Sequence, residues 1–107
     1  MSGMTQDIRP INWGIIGCGD VVLRKSAPSI LSLPGQRIVS AMRRDPDALA
    51  AFANRFAVPH AAGSADELVA NPAVDLVYIA TPPDTHLHYA RLAAAAGKGV
   101  LVEKPAG

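Results

Sequence analysis

Two glycines lie where an apolar run meets a helical segment, and their spacing is suited to holding a phosphate group. The run Ile11–Ile16 ends at Gly17, Cys18 and Gly19, and a helical pattern follows from about Asp20. In such a turn, backbone N–H groups and the positive end of the helix dipole face the same point. Gly17 would permit the tight turn, and Gly19 would let a phosphate approach the backbone because it has no Cβ. The pattern predicts a dinucleotide-binding turn, with an ordinary strand-to-helix turn as the alternative.

The same turn departs from the common three-glycine pattern and contains the single cysteine. Val22 stands where a third glycine would serve helix-to-strand packing, so the phosphate contacts are unaffected by its loss. Cys18 has no basic residue nearby in the sequence to activate its thiol, and we interpret it as a small turn residue. One cysteine also excludes an intramolecular disulfide and fits a reducing compartment.

Two arginines, Arg43 and Arg44, follow the second strand candidate at residues 37–42. A dinucleotide site normally has Asp or Glu about 20 residues beyond the glycine turn, where it bonds the ribose hydroxyls. A guanidinium instead pairs bidentately with a 2′-phosphate and stacks on adenine, which favours NADP over NAD. Two alternatives stay open: the arginines are a solvated helix start, or Asp45 is the ribose ligand. The position of Asp45 before Pro46 suits a helix N-cap better.

Two further polar clusters, TPPDTH at 81–86 and EKP at 103–105, follow apolar strand candidates at 74–80 and Gly99–Val102. Open parallel sheets bind ligands at the carboxyl ends of their strands, so both clusters are candidate site segments. His86 and His88 are two residues apart and would not share a helix face, so no metal site is predicted.

Strands and helices must alternate to bring these clusters to one edge of a sheet. Strands are predicted at 11–16, 37–42, 74–80 and 99–102, and a weaker extended segment is predicted at 58–61. Helices are predicted at about 20–33, at 46–57 with Asp45 as N-cap, from 64 onward, and at 85–96. Pro28 is expected to kink or divide the first helix, and Ser64 and Glu67 have capping-box spacing. Gly97, directly after the last helix, is expected to be its C′ residue. The alternation predicts an α/β fold with a doubly wound parallel sheet, Rossmann-like and three-layered (αβα). No element follows the last strand, so the sheet is expected to be incomplete at its C-terminal end.

Composition limits the classes of protein that the chain can represent. Its 107 residues suffice for one domain; half are apolar, and the net charge is +1. No basic run suggests nucleic-acid binding, no signal-peptide pattern opens the chain, and no apolar run approaches the ~20 residues that span a bilayer. We expect a cytoplasmic protein with residues 1–9 as a flexible tail and 10–107 as a dinucleotide-binding domain.

In order and spacing, the three clusters together resemble the Gfo/Idh/MocA oxidoreductase family. The resemblance runs from about Ile11 to the end and is carried by VDLVYIATP at 74–82, by His86 and Ala90, and by AGKGVLVEKP at 96–105. It implies a Rossmann domain followed by a larger α+β domain, which carries substrate residues and often a dimer interface. Family members move hydride between a nicotinamide cofactor and a sugar, inositol or related alcohol.

The resemblance also implies a role for each matching residue. The pyrophosphate would be held by the glycine turn and its neighbours, namely Gly17, Cys18, Gly19, Asp20 and Val21. Thr81, Pro82 and Pro83 would line the adenosine and ribose side, although the family often has Asn where Pro83 stands. His86 would lie close to the nicotinamide ribose. Glu103 and Lys104 would lie at the nicotinamide end, with Lys104 as the catalytic residue that polarises the substrate oxygen.

Family enzymes add an Asp and a His from the second domain, so the chain alone is expected to bind cofactor without useful turnover. Its longer parent is expected to form a homo-oligomer. Two other functions stay open. One is a non-catalytic nucleotide-sensing domain. The other is a methyltransferase, which Arg43 and Arg44 disfavour because such enzymes generally have an acidic residue at the end of the second strand.

Overall fold

Parallel strands form the centre of the fold, as the apolar runs predict. A computed structural model describes residues 10–17, 19 and 25–103. Within these residues the strands are β1 (Ile11–Ile16), β2 (Gln36–Met42), β3 (His60–Ala61), β4 (Leu76–Ile79) and β5 (Gly99–Val102). The helices are α1 (Ala27–Ser32), α2 (Pro46–Phe56), α3 (Ala65–Ala70) and α4 (His86–Ala95), with a 3-10 helix at Pro83–Thr85. All strand pairs are parallel, in the order β3-β2-β1-β4-β5.

The sheet separates two apolar cores because successive side chains of a strand point to opposite faces. On one face, Trp13 and Ile15 of β1 pack with buried residues of α1 and α2, including Ile30 and Phe52. On the other face, Ile16 packs with residues of α3 and α4. The helices thus form one layer on each side of the sheet, and the predicted αβα arrangement is confirmed.

The strand order reverses between β1 and β4, which are hydrogen-bonded neighbours. The chain moves outward from β1 through β2 to β3, then returns to the other side of β1 with β4 and β5. In open parallel sheets this reversal leaves a crevice beyond the carboxyl ends of the two strands, where ligands bind. The glycine turn after β1 and the TPPDTH segment after β4 both lie at this crevice.

Helix starts follow their capping residues. The Asp45 carboxylate accepts hydrogen bonds from Asp47 N at 3.0 Å and Ala48 N at 3.3 Å, which confirms Asp45 as the N-cap of α2. Ser64 Oγ accepts from Glu67 N at 3.1 Å at the start of α3. The reciprocal half of the predicted capping box is different. The Glu67 carboxylate accepts from Gly63 N at 3.2 Å and contacts His60 Nε2 at 2.8 Å.

Proline positions shape the starts of two helices. Pro28 occupies the first turn of α1, directly after a π-helical turn at Lys25 and Ser26. The earlier part of the predicted helix, residues 20–24, lies outside the described residues, so a kink or division at Pro28 stays a prediction. The segment predicted as one helix from 85 begins instead with the 3-10 turn Pro83–Thr85, because Pro83 suits a first helical position. Gly97 has φ +78° and ends α4 as predicted.

Candidate functional site

A cavity of about 470 Å³ opens at the carboxyl edge of the sheet, above the ends of β1, β2 and β4. Its walls are the glycine turn, the residues after β2, and the segment from the end of β4 into α4. The lining residues are Gly17, Gly19, Met42, Arg43, Arg44, Ala80, Thr81, Pro82, Asp84, Thr85 and Tyr89. The cavity therefore lies at the point where the strand order reverses, and two separate candidate clusters contribute to it together with the arginine pair.

Gly17 is held in a conformation and a contact that favour glycine. Its φ is +86°, a left-handed value that costs an L-residue about 1–2 kcal/mol. A Cβ on Gly17 would lie 2.7 Å from Thr81 Cγ2, which is closer than two carbon atoms can pack. Its N–H donates to the Met42 carbonyl at 2.8 Å and joins the turn to the end of β2. The glycine at 17 is thus required by the protein's own packing.

Gly19 differs from Gly17 in this respect. A Cβ at Gly19 would have no atom of the described residues within 4 Å. The Gly19 N–H donates to the Gly17 carbonyl at 2.9 Å, so the turn closes on itself. Packing within the described part of the chain gives no reason for glycine at 19, whereas a ligand approaching from the cavity would give one.

Arg43 and Arg44 directly follow β2 and both line the cavity. Arg43 is half-buried and Arg44 is exposed. The nearby Asp45 carboxylate caps α2 and is not among the lining residues, so its proposed role as a ribose ligand is not supported by its hydrogen bonds. Among the described residues, the charged lining consists of two guanidinium groups and the carboxylate of Asp84, so positive charge is in excess in this part of the lining.

Hydrogen bonds fix the segment after β4. The Thr85 hydroxyl donates to the Pro82 carbonyl at 2.7 Å and lies 2.6 Å from the Thr81 hydroxyl. His86 Nε2 lies 2.7 Å from the Thr81 carbonyl, which can only accept, so the imidazole carries a proton on Nε2. Thr81 and Pro82 line the cavity, while Pro83 and His86 are not among its lining residues. His86 thus supports the Thr81 backbone from behind.

At the end of β5, Glu103 belongs to a separate group of polar contacts. Its carboxylate accepts a hydrogen bond from the Tyr78 hydroxyl at 2.9 Å, and the same hydroxyl lies 3.0 Å from Ser26 Oγ. Burial raises the pKa of Tyr78 above its ordinary value of 10.0. The hydrogen bond to Glu103 and its negative charge raise the pKa further, while the Ser26 hydrogen bond opposes them. Glu103 is not among the residues that line the cavity.

Ionisation of Tyr78 gives a first testable prediction. Because the folded chain holds the phenol proton more tightly than the unfolded chain, the associated stability is complete below pH 10.0 and is lost as pH rises through the elevated folded value. Replacing Glu103 with glutamine removes the neighbouring charge and is expected to lower the pKa of Tyr78; Ser26→Ala is expected to raise it. Tyrosinate absorbance measured in a Tyr89→Phe background, which leaves one tyrosine, tests both shifts. Equal titration curves for the three proteins would contradict the prediction.

Sequence patterns missed several lining residues. Met42 and Ala80 are the apolar residues just before the polar clusters, and Asp84 and Thr85 lie inside TPPDTH. Tyr89 is four residues beyond Thr85 and so lies on the same face of the helical segment. The spacing of Thr85 and Tyr89 was the available signal, but it became informative only once Thr85 was placed at the cavity.

Some predicted site residues fall outside the described part of the chain. These are Cys18, Asp20, Val21 and Lys104. Over the residues that are described, no group of three or more His, Cys, Asp and Glu side chains is arranged to hold a metal ion. Nor is any helix in these ranges both long and apolar enough to cross a membrane.

The fold and the site together define a dinucleotide-binding Rossmann domain: a parallel sheet of order 3-2-1-4-5, with a glycine turn at the point where the order reverses. Residues 11–107 match the family described as "Oxidoreductase family, NAD-binding Rossmann fold" (Gfo/Idh/MocA). The chain belongs to this family, and the resemblance drawn from the sequence motifs is confirmed.

Individual relatives are oxidoreductases as well. The chain is 46% identical over 95 residues to "Oxidoreductase P35" of Formosa agariphila, covering 89% of this chain and 30% of that protein. A 3-ketoreductase from Actinomadura kijaniata in complex with NADP superposes with a TM-score of 0.83 at 33% identity, covering 91% of this chain and 31% of that one. Biliverdin reductase from Synechocystis sp. PCC 6803, in complex with biliverdin and NADP+, gives a TM-score of 0.81 at 32% identity, covering 90% and 30%. The chain thus spans about 30% of the length of these relatives.

Proposed function

We propose that this chain is the NAD(P)-binding domain, residues 10–107, of an oxidoreductase that favours NADP. The full enzyme would transfer hydride between the nicotinamide and a sugar, inositol or related alcohol or carbonyl compound. The observation that carries the proposal is that Gly17, Gly19, Arg43 and Arg44 all line one cavity at the carboxyl edge of the sheet. Family membership and the oxidoreductases among its relatives support the class of reaction.

The residues present fit a dinucleotide. A Cβ at Gly19 would meet no atom of the described residues within 4 Å, which leaves room there for a pyrophosphate. The left-handed backbone of Gly17 forms the turn in which Gly19 lies. Thr81 and Pro82 also line the cavity, and hydrogen bonds from Thr85 and His86 hold their backbone carbonyls in place. Phosphate charge would be balanced by the two guanidinium groups, which outnumber the one carboxylate that the described residues contribute to the lining.

The preference for NADP rests on the end of β2. An NAD site uses a carboxylate at this point to bond the ribose hydroxyls, and that carboxylate would repel a 2′-phosphate. Here Arg43 and Arg44 line the cavity, while Asp45, the carboxylate that follows them in the sequence, already accepts two hydrogen bonds from α2. Two solved relatives, the 3-ketoreductase and biliverdin reductase, contain NADP or NADP+, which is consistent with this preference.

The nicotinamide, when bound, would supply or accept the hydride. Among this chain's own residues, we assign the catalytic role to Lys104, whose ammonium group would hydrogen-bond the substrate oxygen and stabilise the charge that develops there. Substrate orientation and the remaining catalytic groups would come from the longer protein, which we expect to be a homo-oligomer. The chain alone would therefore bind cofactor and turn over poorly.

Calorimetric titration with NADPH, NADH and S-adenosylmethionine tests the proposal. We expect NADPH to bind about tenfold or more tightly than NADH, which corresponds to at least one additional charged contact, and S-adenosylmethionine not to bind. Binding of S-adenosylmethionine alone would indicate a methyltransferase domain. Failure of all three ligands to bind would remove the functional interpretation of the glycine turn.

A further inference from the structure

The Tyr78 hydroxyl is a buried polar group that the proposed function does not use. Tyr78 lies in β4, is 8% exposed, and packs edge-on against Trp13 with ring centroids 6.3 Å apart. This packing involves only the aromatic ring, and a phenylalanine would fill the same space, so the packing does not account for the hydroxyl. The hydroxyl instead contacts two side chains from distant segments, Ser26 and Glu103.

Glu103 is fixed in place by both its backbone and its side chain. Its N–H donates to the Ile79 carbonyl at 2.9 Å, which continues the β4–β5 ladder by one residue beyond β5. Its carboxylate accepts the Tyr78 hydroxyl hydrogen bond at 2.9 Å. Tyr78 and Ile79 are adjacent in β4, so one strand holds the residue at two points. Glu103 is directly followed in the sequence by Lys104.

The direction of this contact matters for the site. Tyr78 pairs with Ile15 in β1 and with Leu101 in β5, and its strand ends at Ile79, two residues before Thr81. The hydroxyl therefore connects the central strands to the segment that follows β5. A carboxylate fixed by a hydroxyl donor from the core keeps one orientation, whereas an unpaired glutamate side chain on a strand end samples several rotamers.

We infer that Tyr78 is a positioning residue for the nicotinamide end of the site, acting through its hydrogen bond to the Glu103 carboxylate. The inference rests on the proposed function, in which Lys104 is catalytic, and on the family resemblance, which implies that Glu103 and Lys104 lie at that end. It assigns Tyr78 no contact with the cofactor itself. Loss of the hydroxyl should then affect the nicotinamide half of a bound dinucleotide and leave the adenosine half unchanged.

Binding of two probes to Tyr78→Phe separates these halves. Adenosine 2′,5′-bisphosphate carries the adenosine and 2′-phosphate groups without the nicotinamide, and NADPH carries both halves. We expect Tyr78→Phe to weaken NADPH binding about fivefold, as loss of one partly buried charged hydrogen bond implies, and to leave binding of the bisphosphate within about twofold. Unchanged fluorescence of Trp13, the single tryptophan, would show that the phenyl ring remains packed.

Ser26→Ala is the matched control, because it removes the other partner of the same hydroxyl and keeps the Tyr78–Glu103 hydrogen bond. It should bind NADPH within about twofold of the unmodified chain. In a Glu103→Ala background, which removes the acceptor of the Tyr78 hydroxyl, Tyr78→Phe should cause little further loss, because the two residues act through one contact. Additive losses, an equal loss of both probes, or unchanged NADPH binding would each overturn the inference. If the unmodified chain binds neither probe, the proposed function fails instead.

Discussion

Gly19→Ala is expected to leave the fold intact and to weaken NADPH binding roughly 10- to 100-fold. A Cβ at this position meets no atom of the described residues within 4 Å, so this part of the chain accommodates the methyl group. A phosphate in the turn would be displaced by that methyl group and would lose at least one hydrogen bond to a charged oxygen, which accounts for the size of the effect. Thermal unfolding and calorimetric titration of the same variant measure the two quantities separately.

Gly17→Ala is the companion variant and should behave in the opposite way. Its Cβ would lie 2.7 Å from Thr81 Cγ2 in a backbone with φ +86°, so we expect a loss of about 2–4 kcal/mol in the free energy of unfolding. Adding Thr81→Ser, which removes Cγ2, should restore part of that stability. The two variants lie in the same turn, and only Gly17 is constrained by packing within the described residues. Comparing them therefore separates a structural role of the turn from a role in ligand binding. Normal NADPH binding by Gly19→Ala would show that the glycine turn is only a turn.

Much of the fold could be predicted because local signals and the global arrangement agree. Asp45 before Pro46 predicts the start of α2, and the structure shows the carboxylate bonded to the first turn. The strand at Gly99–Val102 has the bounds that its apolar run and Gly97 indicate. Such signals are confined to a few consecutive residues, so they do not depend on what the rest of the chain does.

The parts that could not be predicted depend on contacts between distant segments. Tyr78 lies in the apolar run predicted as a strand and is buried, but its hydroxyl bonds Ser26 and Glu103, which are 52 and 25 residues away in the sequence. Glu67 has capping-box spacing, yet its carboxylate bonds Gly63 and His60 because β3 brings His60 beside α3. The sequence alone gives no distance between such groups, and therefore no way to choose among their possible partners.

The segments that form the candidate site could be predicted from the sequence, but several of its individual contacts could not. The glycine turn, the arginine pair and the start of TPPDTH do meet at one cavity, because parallel strands carry their carboxyl ends to the same edge. The lining also includes Asp84, which lies in the 3-10 turn at Pro83–Thr85, and Tyr89, which lies in α4; the sequence predicted neither the 3-10 turn nor these two contacts with the cavity. His86 is expected close to the nicotinamide ribose, and its Nε2 hydrogen bond to the Thr81 carbonyl is a contact that the sequence did not predict.

Substituting both Arg43 and Arg44 with aspartate is expected to reverse the cofactor preference. The two guanidinium groups line the cavity after β2, and paired carboxylates there would repel a 2′-phosphate and accept hydrogen bonds from ribose hydroxyls. We expect NADPH binding to weaken roughly 10- to 100-fold while NADH binding is maintained or improves. Titration of both cofactors at two salt concentrations measures the effect, and the NADPH affinity of the unmodified chain should be the more sensitive to salt.

The control must change the net charge equally without touching the cavity. Arg55 and Arg91 are both exposed, on α2 and α4, and neither lines the cavity, so Arg55→Asp with Arg91→Asp provides the same charge difference elsewhere. If long-range attraction alone favoured NADPH, this control would lose as much NADPH affinity as the Arg43 and Arg44 variant. A loss confined to the latter would assign the discrimination to the end of β2, where the dinucleotide fold places recognition of the ribose. Equal ratios of NADPH to NADH affinity in all three proteins would mean that the arginines do not read the 2′-phosphate.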